Sequence, residues 1–201
     1  MHVKNANQEQ EKRRLGILKN VFRDKEISIW HRAENHSNNA GALYNMAHGK
    51  FSLKGAFYPG KSDPLFAAAT LYHAAAIDFI VSGHPLRAAE SFEKSADTLL
   101  EYSNNMAAKM GNKLPDWSKA IVPIYLGTNT NHDPLIKHLH SAARDYLRAS
   151  ILYGEGHRRG HERSYAAARN ILLRFGFKEN DIAREQSRME KYISNVAAEG
   201  Q

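Results

Sequence analysis

The feature that most constrains this chain is a double stripe of small and aromatic residues between Leu65 and Tyr102. Ala68, Ala69, Tyr72, Ala75, Ala76 and Phe79 recur at three- and four-residue steps. Beyond Ser82-Gly83-His84-Pro85, Ala88, Ala89, Phe92, Ala96 and Leu99 do the same. At 3.6 residues per turn each set falls on one helix face. Alanine opposite an aromatic ring lets two helix axes approach closely, so the pattern predicts helices over Leu65 to Val81 and Leu86 to Met110, folded back on each other with Tyr72, Ala75, Ala76, Phe79, Ala88, Phe92, Ala96 and Leu99 as their shared core.

Helical periodicity continues on both sides, and β alternation is almost absent. One helix is expected from about Gln8 to Trp30 and a second from Glu34 to Leu53. The Asp63-Pro64 and Asp133-Pro134 pairs read as N-cap plus first helical residue. The segment Asp116 to Leu126 contains Pro123 and is a broken helix or an ordered loop. Helices are expected over Leu135 to Tyr153, over Glu162 to Phe175 with Gly176 closing it, and from an Asn180 or Asp181 cap to Ala198. The expectation is an all-α chain of seven or eight helices in antiparallel hairpins, a helical-repeat-like array or an irregular bundle. It forms a single domain over 1–201, with residues 1–10 frayed.

The residues of the central pair resemble the tetratricopeptide repeat and the related hairpins of the soluble NSF attachment protein family. Tyr72 stands at the first aromatic position, Ala75-Ala76 where those repeats carry a Leu-Gly pair, and Phe79 at the next aromatic position. Gly83, Ala88, Phe92 and Ser95 follow. The resemblance covers about one repeat, departs at the Leu-Gly pair and has Leu100 in place of the terminal proline. It implies a concave face that binds a peptide or partner protein. A second alanine-aromatic pair, through Tyr146, Tyr153, Ala167, Ala168 and Phe175, keeps the texture without the register.

Charge is unevenly placed in a chain of formal charge +7. Residues 1–62 carry 11 Lys/Arg against 5 Asp/Glu, residues 63–129 carry 5 against 7, and residues 130–201 carry 12 against 9. Arg158, Arg159, Arg163, Arg169 and Arg174 project within a broad sector of one helix if that helix runs back through Gly160, and in sequence only Glu162 offsets them. With Lys12, Arg13 and Arg14 they form the candidate anion- or nucleic-acid-binding set, because guanidinium forks match phosphate and carboxylate. The same stripe on a solvated helix face needs no ligand.

Catalytic and metal constellations are not legible. Without cysteine there is no thiolate chemistry and no common structural zinc site. His157 and His161 stand four apart with Gly160 between, and the metalloprotease helix motif lacks its second histidine. His138 and His140 point to different faces; His73 and His84 read as a helix-surface and a turn residue. Glu90 and Glu93 beside Lys94 read as a solvated face. The nearest Arg-His pair of the kind used by small helical ribonucleases, Arg32 and His36, has only three residues between. The expectation is therefore a protein with no metal and no cofactor that binds a protein or peptide partner through a groove or basic face. A nucleic-acid-binding subunit and a His/Arg-dependent hydrolase are the alternatives. The polar N-terminus and the interruption of Ala74 to Val81 by Asp78 point to a soluble chain with no membrane span, and to the cytoplasm by default.

Overall fold

The computed structural model describes residues 28–49, 63–109 and 134–199. These form six α-helices: α1 (28–47), α2 (Pro64–Val81), α3 (Pro85–Lys109), α4 (Pro134–Tyr153), α5 (Arg158–Arg174) and α6 (Glu179–Glu199). A single 3-10 turn, Glu155–His157, leads into α5. No strand occurs among the described residues. Lys12, Arg13, Arg14, Asp133, the 55–62 loop and the 116–126 segment lie outside the described residues.

Local chemistry sets the helix ends. Asp63 caps α2 by accepting the Leu65 N–H at 2.9 Å, ahead of Pro64. Both α2 and α5 close in the same way. Gly83 (φ 77°) donates to the Ile80 carbonyl while His84 donates to Phe79; Gly176 (φ 79°) donates to Leu173 while Phe177 donates to Leu172. This left-handed closure favours glycine and satisfies the last carbonyls of each helix. Several boundaries differ from the sequence reading: α1 ends at residue 47, short of Leu53, and α5 begins at Arg158, ahead of Glu162 and through Gly160. Residues 28–34 continue into α1 without a break, with Trp30 and Ala33 packed in the cluster that holds Ala76, Phe79 and Ala88. α6 begins at Glu179, since the Asp181 carboxylate sits in the first turn and accepts the Lys178 N–H at 3.1 Å.

The eight residues read as the core of the central helix pair are all buried. α4 is the central helix of the bundle. Its Ala142, Ala143, Asp145, Tyr146, Leu147, Ala149, Ser150 and Tyr153 are buried, and it packs on α3, α5 and α6. α1 lies across α2 and α3 through Arg32–Asp78, Glu34–Arg87 and His48–Glu101. Among the described residues α2 alone is long and apolar enough to cross a membrane by length and composition. Half of it is buried in the bundle, and it carries Asp78, held by Arg32.

Candidate functional site

Helices α3 and α5 flank α4 and leave a groove between them. Leu100, Ser103, Asn104 and Ala107 form one wall, Leu135 and Leu139 the floor, and Ala167, Asn170, Ile171, Arg174 and Phe175 the other wall, around a volume of about 390 Å³. The wall residues on α3 and on α5 each step by three and four, the spacing that keeps them on one face. The Ser103 hydroxyl donates to the Leu99 carbonyl at 2.7 Å, so this side chain is already satisfied inside its own helix.

Earlier along α3 and α5, outside the groove lining, the two helices are joined by a polar knot. Glu93 of α3 accepts Arg163 Nε at 2.7 Å and Nη2 at 2.6 Å, the Tyr153 hydroxyl at 2.9 Å and the Ser164 hydroxyl at 3.1 Å. Its side chain is only 13% exposed. Burial works to raise this carboxyl, but donation from Arg163, Tyr153 and Ser164 outweighs it and the net shift is downward. One turn on, Asp97 accepts the Tyr146 hydroxyl, and there burial prevails and raises the carboxyl. The neighbouring phenols Tyr146 and Tyr153 are both held well above their ordinary value, first by burial and then by donation to these carboxylates.

Three arginines of the series pair with different carboxylates. Arg158 pairs with Glu162 at 2.7 Å, Arg163 with Glu93 of α3, and Arg169 with Glu179 at the start of α6. Glu162 is the local offset, as the sequence reads; Glu93 and Glu179 are remote in sequence and supplied by neighbouring helices. Arg159 and Arg174 have no carboxylate partner among the described residues. Arg174 lines the groove, about three helical turns from Arg163. Glu93 is likewise no solvated surface residue, because the α3 face that carries it meets α4 and α5.

Sequence reasoning missed a second set of buried charges. Asp145 is 2% exposed and accepts Ser95 Oγ at 2.8 Å and Arg148 Nη1 at 2.6 Å, with His73 Nδ1 at 3.0 Å. His73 thus faces α4 and is not simply a helix-surface residue. Arg148 also stacks over Tyr192, 4.5 Å from the ring centre. Asp78 gathers Arg32 and, at 3.2 Å, His36 Nδ1, so the nearest Arg-His pair in the sequence converges on one buried carboxylate. Glu185, fully buried, takes Arg144 and Arg188. A signal existed for one of these: Asp78 interrupts an apolar run on a core helix, where a charge requires a partner.

The histidines are dispersed. His161 Nδ1 lies 3.0 Å from the Ser150 carbonyl, and its ring stacks on Tyr165. His138 packs against Phe66 and Tyr102, and His140 against Phe177. His84 stands exposed in the turn before α3. No group of three His, Asp or Glu side chains able to hold a metal ion occurs among the described residues. Comparison with protein-family models, with curated proteins and with solved structures finds no match to this chain.

Proposed function

We propose that this chain is a non-enzymatic helical interaction protein that docks a peptide segment of a partner in the groove between α3 and α5. The observation that carries the reading is the groove itself. Leu100, Ala107, Leu139, Ala167 and Ile171, half-buried over the buried Leu135 and Phe175, line a concave apolar surface of the kind that buries the anchors of an amphipathic segment. The tetratricopeptide-like spacing from Tyr72 to Ser95 supports the same reading, with α2–α3 and α4–α5 as two successive helical hairpins stacked side by side. Phosphate binding has less to stand on, since three of the five arginines of the series already have carboxylate partners.

The test is a random peptide library displayed and selected against the full chain, with affinities of recovered peptides measured by fluorescence anisotropy. Peptides with apolar anchors at helical spacing are expected, and Ala107→Glu and Ala167→Glu should each weaken them at least tenfold while circular dichroism stays unchanged. Binding indifferent to both substitutions overturns the proposal. So does association of random oligonucleotides that weakens log-linearly with salt while selected peptides fail to bind, because that behaviour belongs to phosphate contacts.

A further inference from the structure

We infer that the cleft between α1 and α3 over Tyr72 binds a small zwitterion, an α-amino acid with its ammonium and its carboxylate both free. The cleft is lined by Tyr44, Tyr72, Lys94, Asp97 and Thr98 and shares no lining residue with the groove between α3 and α5. Its volume of about 230 Å³ lies under the roughly 300–1,000 Å³ of sites for drug-sized ligands, so the guest is no larger than an amino acid.

The floor supplies an unused donor. Tyr72 is only 8% exposed, yet its hydroxyl has no hydrogen-bond partner among the described residues. A buried phenol ordinarily has one. Gly41 of α1 passes beside it: a β-carbon there would stand 3.5 Å from the hydroxyl, and glycine brings no polar side chain to meet it. The other hydroxyls of the lining are engaged, since Thr98 donates to the Lys94 carbonyl at 2.7 Å and the Tyr44 phenol donates to Glu101. Tyr72 is therefore the lining hydroxyl with a hydrogen bond left to give.

The rim supplies one charge of each sign, and neither is matched. Along α3, Glu93 is paired with Arg163 and Glu101 meets His48 at 2.7 Å, whereas Asp97 between them receives the neutral hydroxyl of Tyr146 and has no ion-pair partner among the described residues. Lys94, whose ammonium stands 5.8 Å from the centre of the Tyr72 ring, has no carboxylate partner among them either. Lys94 and Asp97 lie three positions apart, a spacing at which opposite charges on a helix pair, yet they line the cleft without pairing. A guest whose carboxylate meets Lys94 and the Tyr72 hydroxyl while its ammonium meets Asp97 satisfies all three groups through charge-assisted hydrogen bonds. Side chains at this spacing start about 5–6 Å apart, a gap bridged by two charges carried on one carbon. A simple anion would leave Asp97 repelling it and a simple cation would meet Lys94, so the site selects against both.

The test is saturation-transfer-difference NMR of the full chain with each of the twenty free L-α-amino acids, followed by titration of those that bind. At least one is expected to bind in the millimolar range or tighter. Its N-acetyl derivative, which lacks the ammonium, and its carboxamide, which lacks the carboxylate, should each bind at least tenfold more weakly. Lys94→Gln should weaken the amino acid at least tenfold yet leave the carboxamide within twofold, and Asp97→Asn should weaken the amino acid yet leave the N-acetyl derivative within twofold. That crossed pattern belongs to direct contact and does not arise from a general loss of structure. Tyr72→Phe, which keeps the ring, should weaken the amino acid at least threefold. Ala107→Glu and Ala167→Glu should leave it within twofold, so this site and the docking role stand or fall separately. No binding by any of the twenty at tens of millimolar overturns the inference. So does binding indifferent to Lys94→Gln and Asp97→Asn, or acetate bound as tightly as the amino acid.

Discussion

At the scale of single residues, two positions invert what their residue type leads one to expect. Gly160 sits inside α5, where replacing glycine by alanine ordinarily adds about 1 kcal/mol of stability. Here a β-carbon would lie 2.9 Å from three atoms of the Tyr153 ring, the same ring whose hydroxyl donates to Glu93. Gly160→Ala should therefore destabilise the fold by about 1–3 kcal/mol through overpacking. Gly156→Ala, where a β-carbon meets nothing within 4 Å, should be neutral or slightly stabilising. Urea denaturation of the two variants checks this, and a stabilised Gly160→Ala would refute it. His140 is the second case. Burial, then the Arg144 charge, lowers it from 6.5 to about 4, and its Nε2 is buried without a hydrogen-bond partner. A histidine whose folded value is depressed contributes stability that is complete above its unfolded value and is lost as pH falls toward the folded one. The protein should lose about 3 kcal/mol between pH 6.5 and 4 from this group alone, at ~1.4 kcal/mol for each tenfold change in proton affinity. His140→Leu, beside Phe177, should remove that part of the acid sensitivity; an unchanged pH profile of stability would place it elsewhere.

At the scale of the helix, α3 carries two carboxylates one turn apart with opposite linkage. The Glu93 carboxyl lies below its ordinary value of 4.5, so its contribution is present above that value and disappears as pH falls through the folded value. Asp97 is raised, so the fold binds its proton more tightly than the unfolded chain does, and protonation favours the folded state. Glu93→Gln should thus be destabilising at neutral pH and converge on the parent protein in acid, whereas Asp97→Asn should cost little at neutral pH and lose any advantage in acid. Thermal midpoints of the two variants from pH 3 to 7 separate them; parallel curves would contradict the assignment. This turn of α3 also marks where sequence reading stops. The Asp63-Pro64 start, the Gly83 and Gly176 closures and the Ala-aromatic stripes were legible because each depends on neighbours within one or two turns. The partners of Glu93 lie 60 to 71 residues away, and Asp145 pairs with His73 from 72 residues away. No periodicity in one helix encodes which face of another will meet it, so these charges read as solvated. The groove was illegible for the same reason: Leu100, Leu139 and Ile171 look like core positions until three helix axes are placed, and only then do they line one concavity.

At the scale of the whole molecule, the burial of α4 links the helices into one cooperative body. Asp145 is the point at which that can be tested, because its carboxylate meets α2 through His73, α3 through Ser95 and the α6-facing Arg148 on its own helix. Arg148 is itself largely buried, with a side chain 11% exposed, so deleting the carboxylate leaves a buried guanidinium without its counter-charge. Loss of one partner of such a pair costs about 3–5 kcal/mol. Asp145→Ala should fall in that range. Exchanging both partners for apolar groups, Asp145→Leu with Arg148→Met, should recover much of the loss, because no unpaired charge then remains. The cost should be shared by every helix that meets α4. Hydrogen exchange in Asp145→Ala should accelerate together in the central turns of α2, α3 and α4, as expected when these segments open as one unit. Acceleration confined to α4 would mean that the bundle opens helix by helix. The groove between α3 and α5 would then have walls able to move independently of their floor, and the rigid concavity on which peptide docking depends would be absent.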